Sequence, residues 1–342
     1  MKTMLSRILL CALWVGLCLP GMADDDDMVM GVYEGDFTED AAANYDIRAQ
    51  VVGLSATKYK VVFFLSESGG PELRVEAEGK RKSIGKDKDD KPLYGPVSFE
   101  GDLDVDGTMM PMEGTIDKEA FTGTIDTADG AFALKRVFNE PPTLGKKAPA
   151  GALPLMDGTK ETWLNQWEAV DGPWCFQSDG SVEVCSKSNK TKQELGSGLY
   201  HIEFRTPYMP TERYQGRGNS GVYILGRYEV QVLDSFGTIP AWDLVGGIYK
   251  VAIPEADAAL PPLQWQTYDI TFTAPEFDAS GKKTKDAIIN VVHNGITVHD
   301  NLVLPDCTPG GLTSVEGTSG SLMFQHHGNP VRFRNVWFLP AE

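Results

Sequence analysis

Strand-length runs rich in β-branched and aromatic residues recur along this chain about every dozen residues, with Gly, Asp and Asn between them. The clearest are DIRAQVV (46–52), KYKVVFFLS (58–66), PELRVEAEG (71–79) and PVSFEGDLD (96–104). Helical periodicity is nearly absent, with short turns near Glu39 to Ala43 and Glu255 to Ala259 as its only traces. Such a chain can bury its apolar side chains only by pairing strands and then packing or closing the sheets, so the fold class is all-β. With 342 residues, 42% of them hydrophobic, it has enough material for more than one core.

The break falls at 139–151. Asn139-Glu140-Pro141-Pro142 and Gly145-Lys146-Lys147-Ala148-Pro149 cannot hold a regular element and read as a linker. Residues 31–138 before it form a small all-β meander or barrel, with the charged stretch from Lys80 to Lys91 as an exposed loop. Residues 152–342 form a second all-β domain.

At the start of the chain, Lys2 and Arg7 precede the apolar run Ile8 to Leu19, and Pro20-Gly21-Met22-Ala23 ends in small residues at −3 and −1. That pattern predicts a signal peptide over 1–23 and an exported, periplasmic or extracellular chain with no integral membrane segment left after cleavage. Residues 24–30, with carboxylates from Asp24 to Asp27, read as a solvated, frayed terminus. A net charge of −17 with no basic patch excludes nucleic acid as a partner. Beyond the leader only Cys175, Cys185 and Cys307 remain. Two short strands around Ser178-Asp179-Gly180-Ser181 would let Cys175 and Cys185 bridge, while two unpaired thiols on opposite faces fit the stretch nearly as well. The odd count leaves at least one thiol free or paired between chains.

Asp102, Asp104, Asp106, Gly107 and Glu113 satisfy the calcium-loop pattern D-x-D-x-D-G-x5-E, which would make Ca2+ a cofactor. A loop of that kind lies between helices, whereas here the flanks are strand-like and Pro111 stands where the exit helix would begin. The competing reading is a hairpin turning at Asp106-Gly107 with outward acidic side chains.

The densest chemistry lies in GRGNSGVYILGRYEVQVLDSFG (216–237). Asn219-Ser220-Gly221 opens a strand, Gly226-Arg227 makes a tight turn, and Tyr228 to Asp234 returns. Alternation puts Glu229 and Gln231 on one face, and a bulge near Val232-Leu233 would bring Asp234 to join them. This register resembles the E-x-D-x-x-E strand of the jelly-roll β-glucanases, with Gln231 for the middle Asp and Asp234 for the last Glu. Losing the central carboxylate removes a charge that sets the outer pair's pKa values apart, which argues against an ordinary retaining glucanase.

Five segments in order carry a second resemblance: the 216–237 stretch, Gly247-Ile248-Tyr249, WQTYDITFTAPEFD (265–278), VVHNGITVHDN (291–301) and HGNPVRFRNVWF (327–338). Together, from LPLMDGTKETWLNQW onward, they resemble the 3-keto-disaccharide hydrolase family over about residues 152–342. One departure is His326, where the family usually carries Asp before the HGN motif. The resemblance implies a concanavalin-like jelly-roll β-sandwich and an oxidised sugar or oligosaccharide as substrate, cleaved at the glycosidic bond.

A ketone at C3 acidifies the C2 proton, so the glycosidic oxygen at C1 can leave by elimination, with water adding to the enone afterwards. That route asks for a base near C2, an electrophile for the developing enolate and an acid for the leaving oxygen. Glu229 and His327 are the expected base and acid, with Asp234 beside them or merely capping the turn at Ser235-Phe236-Gly237. Arg227, Gln231 and Asn219 would polarise or orient the sugar, with Tyr223 and Asn329 in contact with it. Tyr249 and Trp265 would offer stacking faces. A divalent cation on Glu229 or Asp234 could replace Arg227 as electrophile. The alternative in another class is a non-catalytic, lectin-like carbohydrate-binding module. His293, His299, Arg332 and Arg334 are expected to be structural, and Trp163, Trp167 and Trp174 to fill the sandwich core or its rim.

Overall fold

The computed structural model describes residues 29–39, 44–67, 70–105, 107–169 and 174–341. The expected leader, nearly all of the acidic terminus and Asp106 lie outside the described residues.

Eight antiparallel strands close the first barrel: Gly31–Phe37, Tyr45–Gly53, Lys58–Glu67, Leu73–Lys80, Val97–Val105, Thr108–Asp117, Ala120–Ile125 and Thr127–Val137. Closure comes from Gly31–Phe37, which pairs with Tyr45–Gly53 on one side and Thr127–Val137 on the other. Alternation then sends every second side chain inward. Phe63, Phe99, Phe121 and Phe132 meet there, with centroids 5.2–6.5 Å apart, and Tyr33 packs edge-on against Phe121. Gly114 and Gly123 face each other in the wall, and a Cβ on Gly123 would lie 2.8 Å from the Phe132 ring, so the glycines make room for the rings. The Lys80 to Lys91 stretch, expected to be a plain loop, holds most of an exposed hairpin, Ser83–Lys86 against Pro92–Tyr94.

The calcium-loop expectation is overturned by the register here. Asp102 and Asp104 sit on the outer face of the Val97–Val105 strand, and Asp104 Oδ1 accepts from the Gly107 amide at 2.8 Å as a turn cap. Glu113 pairs across from Glu100, four residues along the strand from Asp104, or about 13 Å at ~3.3 Å per residue. Among the described residues, no three His, Cys, Asp or Glu side chains gather to hold a metal ion.

The second unit is a two-sheet sandwich. One eight-stranded sheet contains Gly198–Arg205, Gln266–Thr273, Ala287–His293, Ile296–Leu304 and Arg332–Pro340. The facing five-stranded sheet runs Trp167–Ala169, Asn189–Thr191, Met323–Phe324, Ser220–Ile224, Tyr228–Val232. Tyr228, Val230 and Val232 point between the sheets against Ile270, Phe272 and Ile289. Trp163, Trp167 and Trp174 close one side of this core around Phe324. Cys175 and Cys185 form a disulfide with Cα atoms 5.9 Å apart, and Cys307 is unpaired.

Sequence periodicity missed the short helix Lys160–Gln166, which the Thr159 hydroxyl caps by accepting from Thr162 N at 3.2 Å. Residues 255–259 form no helix. No helix among the described residues is long and apolar enough to cross a membrane.

The expected linker is seated on the sandwich. Thr143 Oγ1 donates to Asp269 Oδ2 at 2.6 Å, Gly145 N donates to Glu203 Oε1, and Lys146 O accepts from Trp337 Nε1 at 3.0 Å. A second attachment joins barrel and sandwich directly. Phe236 packs against Met30, Val32 and Val52 of the barrel, and Gly237 O accepts from Lys60 Nζ at 2.7 Å and Arg74 at 2.9 Å.

Candidate functional site

The 216–237 hairpin turns at Leu225 and Gly226, both left-handed at φ 54° and 65°, one residue earlier than the sequence suggested. Gly226 suits that conformation because it has no Cβ. The outgoing strand Ser220–Ile224 and the returning Tyr228–Val232 place Tyr223 directly across from Glu229, and Gly221 across from Gln231. Since Tyr228, Val230 and Val232 point into the core, Glu229 and Gln231 point the other way, into a cleft of about 270 Å3. Ligand sites start at about 300 Å3, so this is a small, specific hollow.

Glu229 lies in that cleft with only 2% of its surface exposed. Burial pushes its carboxyl up to about 7, with a hydrogen bond from Tyr223 pulling the other way. Its backbone is fixed by N–H donation to Thr308 Oγ1 at 2.8 Å, and Gly221 leaves the space its carboxylate occupies. The Tyr223 hydroxyl accepts from Gln325 Nε2 at 3.2 Å and stands 3.1 Å from Pro309 O, while burial raises its pKa.

Amides form the rest of the wall. Gln231 donates to Gln215 Oε1 at 3.3 Å, and Asn219 donates from Nδ2 to Gln215 O at 2.8 Å and Oε1 at 3.0 Å. Asn219 Oδ1 is a buried acceptor with no partner among the described residues. Such an atom suits a ligand hydroxyl. Asn329 serves this wall from behind, its Oδ1 accepting from the Asn219 amide at 2.7 Å.

The Gly246-Gly247-Ile248 stretch runs along the outer edge of the returning strand, with Gln231 N donating to Gly247 O at 2.9 Å and Gly246 N to Gln231 O at 3.1 Å. This adds Tyr249 and Lys250 to the cleft beside Glu229. His299, donating or accepting at Gly246 O over 2.8 Å, and Tyr268, whose hydroxyl bonds both Gly246 N and Gln231 O, hold that edge from below. His327 lies exposed at the cleft mouth.

Three expected site residues stand elsewhere. Asp234 does not come round a bulge to join Glu229. The strand ends at Val232, and Asp234 Oδ2 accepts from Arg217 Nε at 2.6 Å in a buried ion pair. Arg227 is turned to the far side of the hairpin, where Nε donates to Val315 O at 2.7 Å and Nη1 to Leu225 O and Ser319 O at 2.9 and 2.8 Å. Trp265 lies outside the cleft, under the guanidinium of Arg334 at 4.1 Å and near that of Arg205 at 5.3 Å. Of the two carboxylates considered singly for a divalent cation, Glu229 lies in the cleft and Asp234, held by Arg217, does not.

Sequence reasoning passed over Gln215, Lys250, Pro309, Gly310 and Gln325. Gln215 and Lys250 adjoin quoted motifs and had a local signal. Gln325 arrives through pairing of Met323–Phe324 with Ser220–Ile224, a contact about a hundred residues apart that no local pattern announces.

Comparison with known proteins bears on the sandwich. No curated protein matches the chain. A crystal structure of a candidate glycosyl hydrolase from Parabacteroides distasonis ATCC 8503 is 33% identical, with TM-score 0.51, over 57% of this chain and 86% of that one. A second candidate glycosyl hydrolase structure from the same organism is 19% identical, with TM-score 0.41, over 56% of this chain and 94% of that one. The family model described as 3-keto-alpha-glucoside-1,2-lyase-like domain matches residues 151–339. The sandwich carries the whole of that match, and by it this chain belongs to the 3-keto-alpha-glucoside-1,2-lyase-like family.

Proposed function

We propose that this protein cleaves the glycosidic bond of 3-keto-glycosides by elimination through an enolate, followed by hydration of the enone. The observation that carries the reading is a single carboxylate, Glu229, buried in a cleft otherwise lined by amides, phenols, one lysine and one histidine. Displacement at C1 by the usual retaining route needs two carboxyl groups ~5–5.5 Å apart. Elimination needs one base, tuned near the working pH, and a carboxyl held at about 7 meets that requirement. The family and the hydrolase-like neighbours support a carbohydrate substrate.

In this mechanism Glu229 takes the C2 proton, and the C–H electron pair forms the enolate. The enolate then re-forms the C3 carbonyl, C1=C2 forms, and the C1–O bond breaks. The leaving oxygen takes that pair together with a proton, which His327 at the mouth supplies. Gln231 and the unpartnered Asn219 Oδ1 orient the sugar hydroxyls, and Tyr249 offers a ring face. The chain works outside the reducing cytoplasm, a placement supported by the leader-like start and by the Cys175–Cys185 bond.

The test is incubation of purified protein with a panel of 3-keto-glucosides, with and without chelator, followed by product analysis. Turnover is expected, and Glu229→Gln should lower kcat at least 100-fold while sugar binding persists. Full activity in that variant would refute the role of Glu229. Sugar binding without turnover in the wild type would make the protein a lectin-like binding module instead.

A further inference from the structure

The proposed elimination calls for a positive group over the C3 oxygen, and Arg227 is committed to three backbone carbonyls away from the cleft. We propose that Lys250 is that electrophile, its ammonium stabilising the enolate oxygen as Glu229 removes the C2 proton. This assignment rests on the reaction proposed above and names the residue that completes it.

Lys250 is the only lysine or arginine among the residues lining the cleft. Its ammonium has no ion-pair partner among the described residues, although the chain carries 48 acidic side chains; its contact is the Tyr249 ring, 5.9 Å to the centroid. A cation held only by the neighbouring aromatic ring is available to a ligand's developing charge.

The backbone points the same way. Val251 N and Ala252 N both donate to Ile248 O, at 2.8 and 3.0 Å, so residues 249 and 250 turn sharply at the sheet edge. Lys250 takes φ 60° there, a left-handed position where glycine is the default. Left-handed non-glycine residues also serve ordinary turns, as Leu225 does in the hairpin, but Lys250 is an exposed one that lines the cleft. Along the edge the Tyr249 N–H donates to Glu229 O at 3.4 Å, so Lys250 follows by one residue the position bonded to the base.

The electron balance is complete without any further reactant. As the C2–H pair forms C2=C3, the carbonyl π pair moves onto the C3 oxygen, where the ammonium offsets the new charge. When the enolate collapses, that pair returns to C3=O and the C1–O bond breaks. Lys250 neither gains nor loses a proton.

The experiment uses the full chain with a 3-keto-glucoside that the wild type turns over. NMR follows both product release and exchange of the C2 proton into D2O for wild type, Lys250→Met and Lys250→Arg. Lys250→Met should lower kcat and C2 exchange together by 100- to 1,000-fold, with KM within a few-fold, and Lys250→Arg should recover part of both. The assignment falls if Lys250→Met keeps kcat within threefold of wild type, or if only KM changes while C2 exchange is untouched. It also falls if chelator abolishes wild-type turnover while Lys250→Met retains a chelator-sensitive rate near wild type, which would make a metal ion the electrophile. A wild type inert towards every 3-keto-glucoside would overturn the reaction and this assignment with it. An active wild type with an indifferent Lys250→Met overturns this assignment alone.

Discussion

Arg217 grips Asp234 at 2.6 Å with Nε, and with Nη1 it donates to the Gly53 carbonyl of the barrel at 2.9 Å. Both side chains are buried, and Asn219 of the cleft follows two residues after Arg217. One guanidinium therefore ties the barrel, the turn after the returning strand and the start of the amide wall into a single unit.

Breaking that tie leaves an uncompensated charge in a buried site. Asp234→Asn or Arg217→Met alone should cost about 3–5 kcal/mol, read as a lower urea midpoint. Replacing both together, Arg217→Met with Asp234→Leu, should recover much of the loss, because the desolvation of two charges is removed along with their attraction.

Glu229 should set both the pH profile and a stability penalty. As a base with its carboxyl near 7, it is protonated below that value, so kcat/KM should fall about tenfold per pH unit on the acid side. For stability the sign is opposite to that of an ion-paired carboxylate. The folded value lies above the ordinary carboxyl value of 4.5, so the folded state binds the proton more tightly and loses stability as pH rises from 4.5 to about 7, above which the loss levels off. Glu229→Gln should thus stabilise the protein by up to ~3 kcal/mol at pH 8 and by almost nothing at pH 4, as thermal unfolding at the two pH values would reveal.

Gly221 should be intolerant of even a methyl group. A Cβ there would press on Glu229 Oε1 and lie 3.0 Å from Tyr223 Cε2. Gly221→Ala should cut kcat/KM at least tenfold by displacing the carboxylate, with a stability loss of about 1–3 kcal/mol from overpacking. Steady-state kinetics beside a melting curve separate the two effects.

The Cys175–Cys185 bond closes a short loop on the sandwich. Reducing it should lower stability by about 3 kcal/mol on chain-entropy grounds, visible as a drop in Tm with added reductant. Cys307→Ser, removing an unpaired thiol, should leave Tm and its response to reductant nearly unchanged.

What could be read from the sequence follows the range of the interactions involved. Alternation within one strand put Glu229 and Gln231 on a shared face, because that rule depends only on neighbouring residues. Asp234 and Arg227 were misplaced because side-chain partners rather than strand alternation fix them: Arg217, 17 residues back in the same hairpin, for one, and the 315–319 loop for the other. The calcium pattern misled because a hairpin register separates carboxylates that a helix-flanked loop would gather. Strand-like runs and the proline-rich joint were legible as two all-β units, but nothing local foretold that Phe236 would bury itself against Val52.

That last contact has a practical side. Expressed without its barrel, the sandwich would present Phe236 to water, strand the Arg217 arm that now reaches Gly53, and leave Gly237 O without the two cations that cap it. The truncated sandwich would be sticky and poorly soluble at this scar, which the barrel covers in the whole chain.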